Sequence, residues 1–303
     1  RWTPRRTRPQ METLESLSDA LNTTKDIQSI VRTMKSLSAV SIRQYERAEE
    51  ALADYERTID LGFAAVLEET RALGIAPHRN RTRDTDREAL IVIGSDRGLC
   101  GRYNEVVSRF AANHLSGTEP MLGVLGVRAA ARLDASGYAA DTLFTVPGSI
   151  DGFNSVVQSV IITIDRWITQ HGVSRVRVAH NRRRGANTAQ PLMRQLLPIP
   201  EEDLENAAKT TWPARGLPVF SMERDALLSW LIRERLFLVL YRALAEALVS
   251  EHATRLATMQ NAERNIEERR EDLTGAFRQK RQESITRELM DVIAGYEAAG
   301  PDD

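Results

Sequence analysis

Between Met11 and about Ala76, apolar residues return every three or four positions, with no proline and scarcely a glycine: Leu14, Leu17, Leu21, Ile27, Val31, Met34, Leu37, Ile42, Tyr45, Ala48, Leu52, Tyr55, Ile59, Phe63 and Val66. Their mean spacing is close to ~3.5 residues, the period of a coiled-coil seam. The pattern predicts one helix that, at ~1.5 Å per residue, makes a rod of roughly 95 Å, closed by the glycine and proline of "GIAPHRN" at 74–80. From 222 to 298 a second stripe follows the same rule through Leu231, Leu238, Tyr241, Ala245, Leu248, His252, Leu256, Met259, Ala262, Ile266, Leu273 and Phe277. It predicts a rod of roughly 110 Å. Thr24 and Ser38 interrupt the first seam, and His252 and Arg270 the second. Such a seam is weak without outside support.

Between the rods the pattern changes. "ALIVIG" (89–94), "MLGVLG" (121–126), "RVRVAH" (175–180) and "PLMRQLLPI" (191–199) read as strands, alternating with helical stretches near 104–116, 127–136 and 152–171. Alternation of this kind predicts an α/β fold: a small, mainly parallel sheet bracketed by a long antiparallel pair of helices. "HNRRRGAN" (180–187) and "WPARGLP" (212–218) read as surface loops. The expected division is an upstream segment at 1–10 outside the fold, a long helix at 11–77, an α/β foot domain at 88–218 and a second long helix at 222–298.

Composition narrows the function. With 42% hydrophobic residues the chain can build a real core, and a formal net charge of −1 leaves no basic field with which to expect a nucleic-acid partner. Arg1, Arg5, Arg6 and Arg8 concentrate positive charge ahead of Met11, in a stretch with no apolar run of a signal peptide. The single cysteine, Cys100, excludes an internal disulfide and a cysteine-built zinc site, and the five histidines show no ligand spacing, so no metal is expected. The longest apolar run, Leu236 to Tyr241, is far too short to span a bilayer.

The stretch most suggestive of chemistry is "IVIGSDRGLCGRYN" at 91–104. A phosphate loop needs a lysine and a hydroxyl after its last glycine, where this chain has Arg102 and Tyr103 beyond Gly94, Gly98 and Gly101. The dinucleotide spacing of glycines also fails, and Ser95 lacks a nucleophile elbow. Asp96 suits a cap for free backbone amides. The loop therefore reads as a structural corner, with no cofactor and no catalytic residue expected.

Several segments nevertheless carry a resemblance. "SDRGLCGRYN" (Ser95, Asp96, Arg97, Gly98, Leu99, Cys100, Gly101 onward) is similar to the SDRGLCGGLN segment of the gamma subunits of rotary F-type ATP synthases, departing at Arg102 and Tyr103. "RQESITRELMDVIAGYEA" (281–298) resembles that family's C-terminal signature through Ile285, Thr286, Glu288, Asp291 and Gly295. "SIVRTMKSLSAVSIRQ" (29–44), "QLLPIP" (195–200) and "SEHATRLATMQNAERN" (250–265) match further family segments in order, while "IEERRED" after Asn265 departs from the pattern toward divergent, alternative bacterial enzymes.

The resemblance implies a non-catalytic central-stalk rotor, one copy per complex, coupling ion flow through a membrane ring to ATP synthesis or hydrolysis in an alpha/beta hexamer. It implies alpha, beta and epsilon subunits and the membrane c-ring as partners, and a peripheral place on the cytoplasmic face of a bacterial inner membrane. Contacts with the hexamer then fall on Met34, Arg255, Arg281, Gln282, Thr286 and Glu288, with Ile285, Leu289, Val292 and Ile293 as an apolar bearing. The regulatory cysteine insert of plant-type subunits is absent, so no thiol switch is expected. Two other readings compete: a coiled-coil scaffold, which predicts a homodimer, and a nucleotide-binding α/β enzyme, which needs the motif the loop lacks.

Overall fold

The computed structural model describes residues 13–72, 87–115, 120–185, 188–210, 212 and 220–299. The upstream segment at 1–10, the stop at 74–80 and most of 212–218 lie outside the described residues. In chain order the elements are α1 (Leu14–Glu50), α2 (Leu52–Ala72), β1 (Glu88–Ile93), α3 (Tyr103–His114), β2 (Met121–Leu125), α4 (Val127–Asp134), β3 (Thr142–Phe144), α5 (Phe153–His171), β4 (Arg175–Arg184), β5 (Thr188–Leu197), α6 (Glu201–Ala208) and α7 (Arg224–Ala299). Two compact units emerge: Leu37–Thr258, and the segment ending at Ser36 together with that beginning at Met259.

The larger unit is built on a five-stranded sheet of order β3-β2-β1-β4-β5, in which all neighbours are parallel except the β4–β5 pair. Strand alternation assigns its two faces. Leu90 and Val92 of β1 point to a core shared with Val107, Ala111, Ala129 and Leu133 of α3 and α4. Ala89, Ile91 and Ile93 point the other way, to a core with Phe153, Val157, Ile164 and Trp167 of α5, Ile42 and Tyr45 of α1, and Leu240, Leu244 and Leu248 of α7. A third cluster joins Leu52, Ile59, Phe63 and Val66 to Leu231 and Leu238, with Ala207 of α6 among them.

The arrangement is the α/β sheet with long flanking helices that the alternation of elements predicts. The differences are local. The first rod is two helices, broken for one residue at Ala51, where the amide still donates to the Arg47 carbonyl at 3.1 Å. "HNRRRG" is not a loop: β4 runs on through Arg184 and turns at Gly185, whose φ is +68°. His180 and Asn181 within it are buried and Arg183 reaches Glu46 at 2.9 Å, while Arg182 and Arg184 stay exposed. The three-residue β3 is too short to show alternation, and it lies at the sheet edge.

On α1 the buried register also departs from the apolar stripe. Leu17, Gln28, Val31, Ser38, Ile42, Tyr45 and Leu52 of the following helix are buried at heptad positions, with Ala48 buried beside them. Ile27 and Leu37 fall off that register and are 46% and 61% exposed. In the smaller unit the polar seam brings its own partners: Gln28 donates to Glu267 at 2.8 Å, and Lys35 and Arg32 share Glu263 at 2.5 and 3.2 Å.

Candidate partner interface

The corner after β1 is held by its own polar groups. The Asp96 carboxylate accepts the Val127 amide at 3.0 Å and the Val146 amide at 2.8 Å, capping the start of α4 and fixing the chain after β3. This is the capping role expected of Asp96, exerted on a helix thirty residues on. Asn104 closes the loop, accepting the Ser95 amide at 3.0 Å and donating to its hydroxyl at 2.8 Å, while that hydroxyl donates to the Arg97 carbonyl at 2.8 Å. These donors are occupied within the loop, so they do not form a phosphate cradle. Cys100 is buried beside Ser95, and burial pushes its thiol above the ordinary range. Leu99 stands at the tip with φ +62°, 60% exposed.

The loop and the sheet meet α7 through buried polar contacts that the apolar pattern did not reveal. Tyr103, wholly buried, donates its hydroxyl to the Ala247 carbonyl at 3.0 Å, and Asn181 donates to the Tyr103 carbonyl at 2.9 Å. Glu246 receives His180 Nε2 at 2.6 Å and Arg194 at 3.0 Å. Burial drives the His180 pKa down, so the ring is neutral, with Nε2–H donating to the carboxylate. The signal for these sites was two carboxylates, Glu246 and Glu251, inside an otherwise apolar stretch of helix: buried charges need partners.

Arg255 is 4% exposed, ion-paired to Glu251 on the preceding turn, and donates to the Gly98 carbonyl at 3.3 Å from Nη2, so that it ties α7 to the chain's own loop.

Beside it, His252 packs on the Tyr45 ring at 5.6 Å between centroids and can accept from Arg255 Nη1 at 3.5 Å through Nδ1. Burial, reinforced by the charges of Arg255 and Arg97, lowers its pKa from 6.5 to about 4. The unfolded chain therefore binds this proton at a higher pH than the folded one. The contribution is complete above about pH 6.5 and is lost as the pH falls towards 4, by about 3 kcal/mol in all. Urea unfolding of the chain from pH 7 to 4.5 is expected to show this loss, with a shallower fall for His252→Leu. Equal slopes would show that His252 does not carry it; His180 adds a contribution of the same sign.

In the smaller unit Met34 is half-buried. An open groove between α1 and α7 is lined by Lys25, Arg32, Arg270 and Arg278, with Glu271 among them. Towards the end of α7, Arg281, Gln282, Thr286 and Glu288 are exposed. So are Ile285, Leu289, Val292, Ile293 and Tyr296, which fall at helical spacing along one stripe; Val292 reaches 72% and Tyr296 84% exposure. Large apolar side chains exposed in a row of this length are unusual on a helix in water. Among the described residues no helix is long and apolar enough to cross a membrane.

The fold, an α/β sheet with long flanking helices, is shared with known proteins. The sequence profile described as ATP synthase matches residues 13–299, and the chain belongs to that family. Its relatives include the ATP synthase gamma chains of Granulibacter bethesdensis, 28% identical over 298 residues with 95% of this chain and 100% of that one covered, and of Heliobacterium modesticaldum, 27% identical with 96% and 100% covered. Among solved structures, a chain of the Euglena gracilis mitochondrial ATP synthase (OSCP/F1/c-ring) superposes with a TM-score of 0.61 at 18% identity over 94% of each chain. A chain of the Tetrahymena thermophila central stalk and c-ring structure gives 0.55 at 18% identity, covering 77% of this chain and 99% of that one.

Proposed function

We propose that the chain works as the central-stalk rotor of an F-type ATP synthase, with the α/β unit as its foot and the paired helices as its shaft. The observation that carries the mechanical reading is α7, a single helix of 76 residues whose last turns leave an apolar stripe uncovered. In this reading the stripe from Ile285 to Val292 runs as a bearing inside a hexamer of alpha and beta subunits. Met34, Arg281, Gln282, Thr286 and Glu288 face the catalytic subunits, and the basic groove near Arg270 and Arg278 faces acidic surface.

A shaft that is asymmetric within a ring of three catalytic sites contacts each site differently, and contacts that differ between open and closed states bias those states. The coupling is reciprocal: nucleotide binding drives shaft angle as much as shaft angle drives affinity. Exposed charged groups suit a turning surface, since each ion pair is worth only about 0–1 kcal/mol and exchanges without a deep trap. The nucleotide chemistry belongs to the beta subunits. The foot meets the epsilon subunit and the c-ring at the cytoplasmic face of a bacterial inner membrane, one copy per complex.

Co-expression with the alpha and beta subunits of an F-type ATPase tests this reading. One copy is expected to copurify with each hexamer and to raise ATP turnover; a free homodimer would favour the scaffold reading instead. Thr286→Ala with Glu288→Ala is expected to lower coupled ATPase activity by roughly tenfold, as a ΔΔG‡ of ~1.4 kcal/mol would, with the melting temperature of the chain unchanged. A parallel loss of fold would make these residues structural.

A further inference from the structure

Apolar packing has no direction, so a helix held only by apolar contacts can turn about its own axis at little cost. A hydrogen bond has direction, and in a buried setting it is strengthened by the low dielectric around it. From Ala243 to Glu251 every side chain of α7 is buried, in contrast to the one-sided burial along the rest of the helix, so this stretch is enclosed on all sides by the α/β unit. Alanines at 243, 245, 247 and 253 let the walls come close.

Within this enclosure and on the turn after it the polar contacts fall at three points. His180 and Arg194 hold the Glu246 carboxylate, the Tyr103 hydroxyl holds the Ala247 carbonyl, and Arg255 reaches out to the Gly98 carbonyl. At about 100° of turn per residue, Ala247 and Arg255 stand about 100° and 180° around the helix from Glu246. The contacts thus meet the helix from different sides, and a turn in either sense breaks at least one of them.

We propose that Glu246–Arg255 is a keyed joint, the place where twist passes between the sheet and the long helix, with Tyr103, His180 and Arg255 as its positioning residues. The proposal rests on the rotor reading. The keys come from three separate parts of the foot: the loop at Gly98, the start of α3 at Tyr103, and the β4–β5 pair at His180 and Arg194. Twist arriving at the sheet therefore reaches α7 without one element carrying it alone. Tyr103 is itself fixed by Asn181 from β4, so two of the keys are tied together.

The test uses the whole complex, reassembled in vesicles with its alpha, beta and membrane subunits, and compares the chain as it stands with Tyr103→Phe, Arg255→Met and the double variant. Ions pumped per ATP hydrolysed are measured against a rising ion gradient, and the melting temperature of each chain is measured alongside. Tyr103→Phe removes one hydroxyl and keeps the ring, so its melting temperature is expected to stay near that of the parent. In the double variant hydrolysis is expected to continue, while ions pumped per ATP fall by at least roughly fivefold under load, since each buried hydrogen bond lost carries an equilibrium factor of about five. Tyr103→Phe alone is expected to move the ratio in the same direction.

Arg233→Gln, which removes a surface ion pair with Asp165, is expected to leave the ratio unchanged. Unchanged pumping per ATP in the double variant would overturn the joint, as would a fall in melting temperature and activity with the ratio constant. If Arg255→Met does not assemble, an unchanged ratio in Tyr103→Phe overturns it. A parent chain that neither assembles nor stimulates hydrolysis would overturn the rotor reading beneath it.

Discussion

Gly126→Ala is expected to destabilise the chain by about 4 kcal/mol, as read from urea unfolding. Gly126 sits between β2 and α4 with φ +99° and ψ 121°, a conformation that L side chains rarely adopt. A Cβ there would lie 2.6 Å from the Ser95 amide nitrogen and 2.7 Å from its carbonyl carbon and oxygen. Backbone strain costs ~1–3 kcal/mol and overpacking a similar amount. The neighbour cannot move aside, because it belongs to the same corner: the Ser95 carbonyl accepts the Arg128 amide at 3.1 Å and Gly126 donates to Phe144 at 3.0 Å. A loss below ~1 kcal/mol would mean that the corner rearranges freely, and the account of the loop as a rigid turn would fail.

Glu246→Ala is expected to cost about 3 kcal/mol: leaving the buried, neutral His180 donor without its acceptor costs about 1–3 kcal/mol, and the lost packing of the side chain adds to it. His180 is wholly buried, and among the described residues its Nε2 has no partner other than the Glu246 carboxylate at 2.6 Å, while Arg194 is partly exposed and can turn to water. Replacing both partners by apolar groups of similar size is expected to cost less than the single change. Comparing Glu246→Ala with His180→Leu/Glu246→Met by chemical unfolding therefore separates a stranded polar group from lost packing. If the double change is the more damaging, packing and not pairing dominates this site.

Much of this was legible in the sequence, for identifiable reasons. Long proline-free stripes can only be long helices, and strands of consecutive apolar residues such as 89–93 announce a sheet covered on both faces. The loop at 95–104 was readable as a corner, because the residues needed for phosphate chemistry were missing from it. The register of α1 was not readable from apolar residues alone. Its seam includes Gln28, Ser38 and the half-buried Lys35, whose partners lie some 230 residues away in the cases of Gln28 and Lys35, while Ile27 and Leu37 face water.

Long-range pairing also hid β4 beyond His180, where buried histidine and asparagine had the appearance of a polar loop. The contacts of Arg255 inside the chain, with the Gly98 carbonyl and Glu251, were equally hidden, because Gly98 lies 157 residues away. The exposed stripe from Ile285 to Tyr296 needed only the helical period to be seen, but its exposure became evident once α7 was found to run past everything that could cover it among the described residues.

As the rotor of the complex, the chain has to turn. With the complex assembled on a surface through its beta subunits and a bead fixed to the chain at the exposed turn Ser136–Gly137, addition of ATP is expected to drive continued rotation of the bead in one direction, at a rate that rises with ATP. A complex that hydrolyses ATP with the chain in place while the bead stays still would mean that the chain is not a rotor.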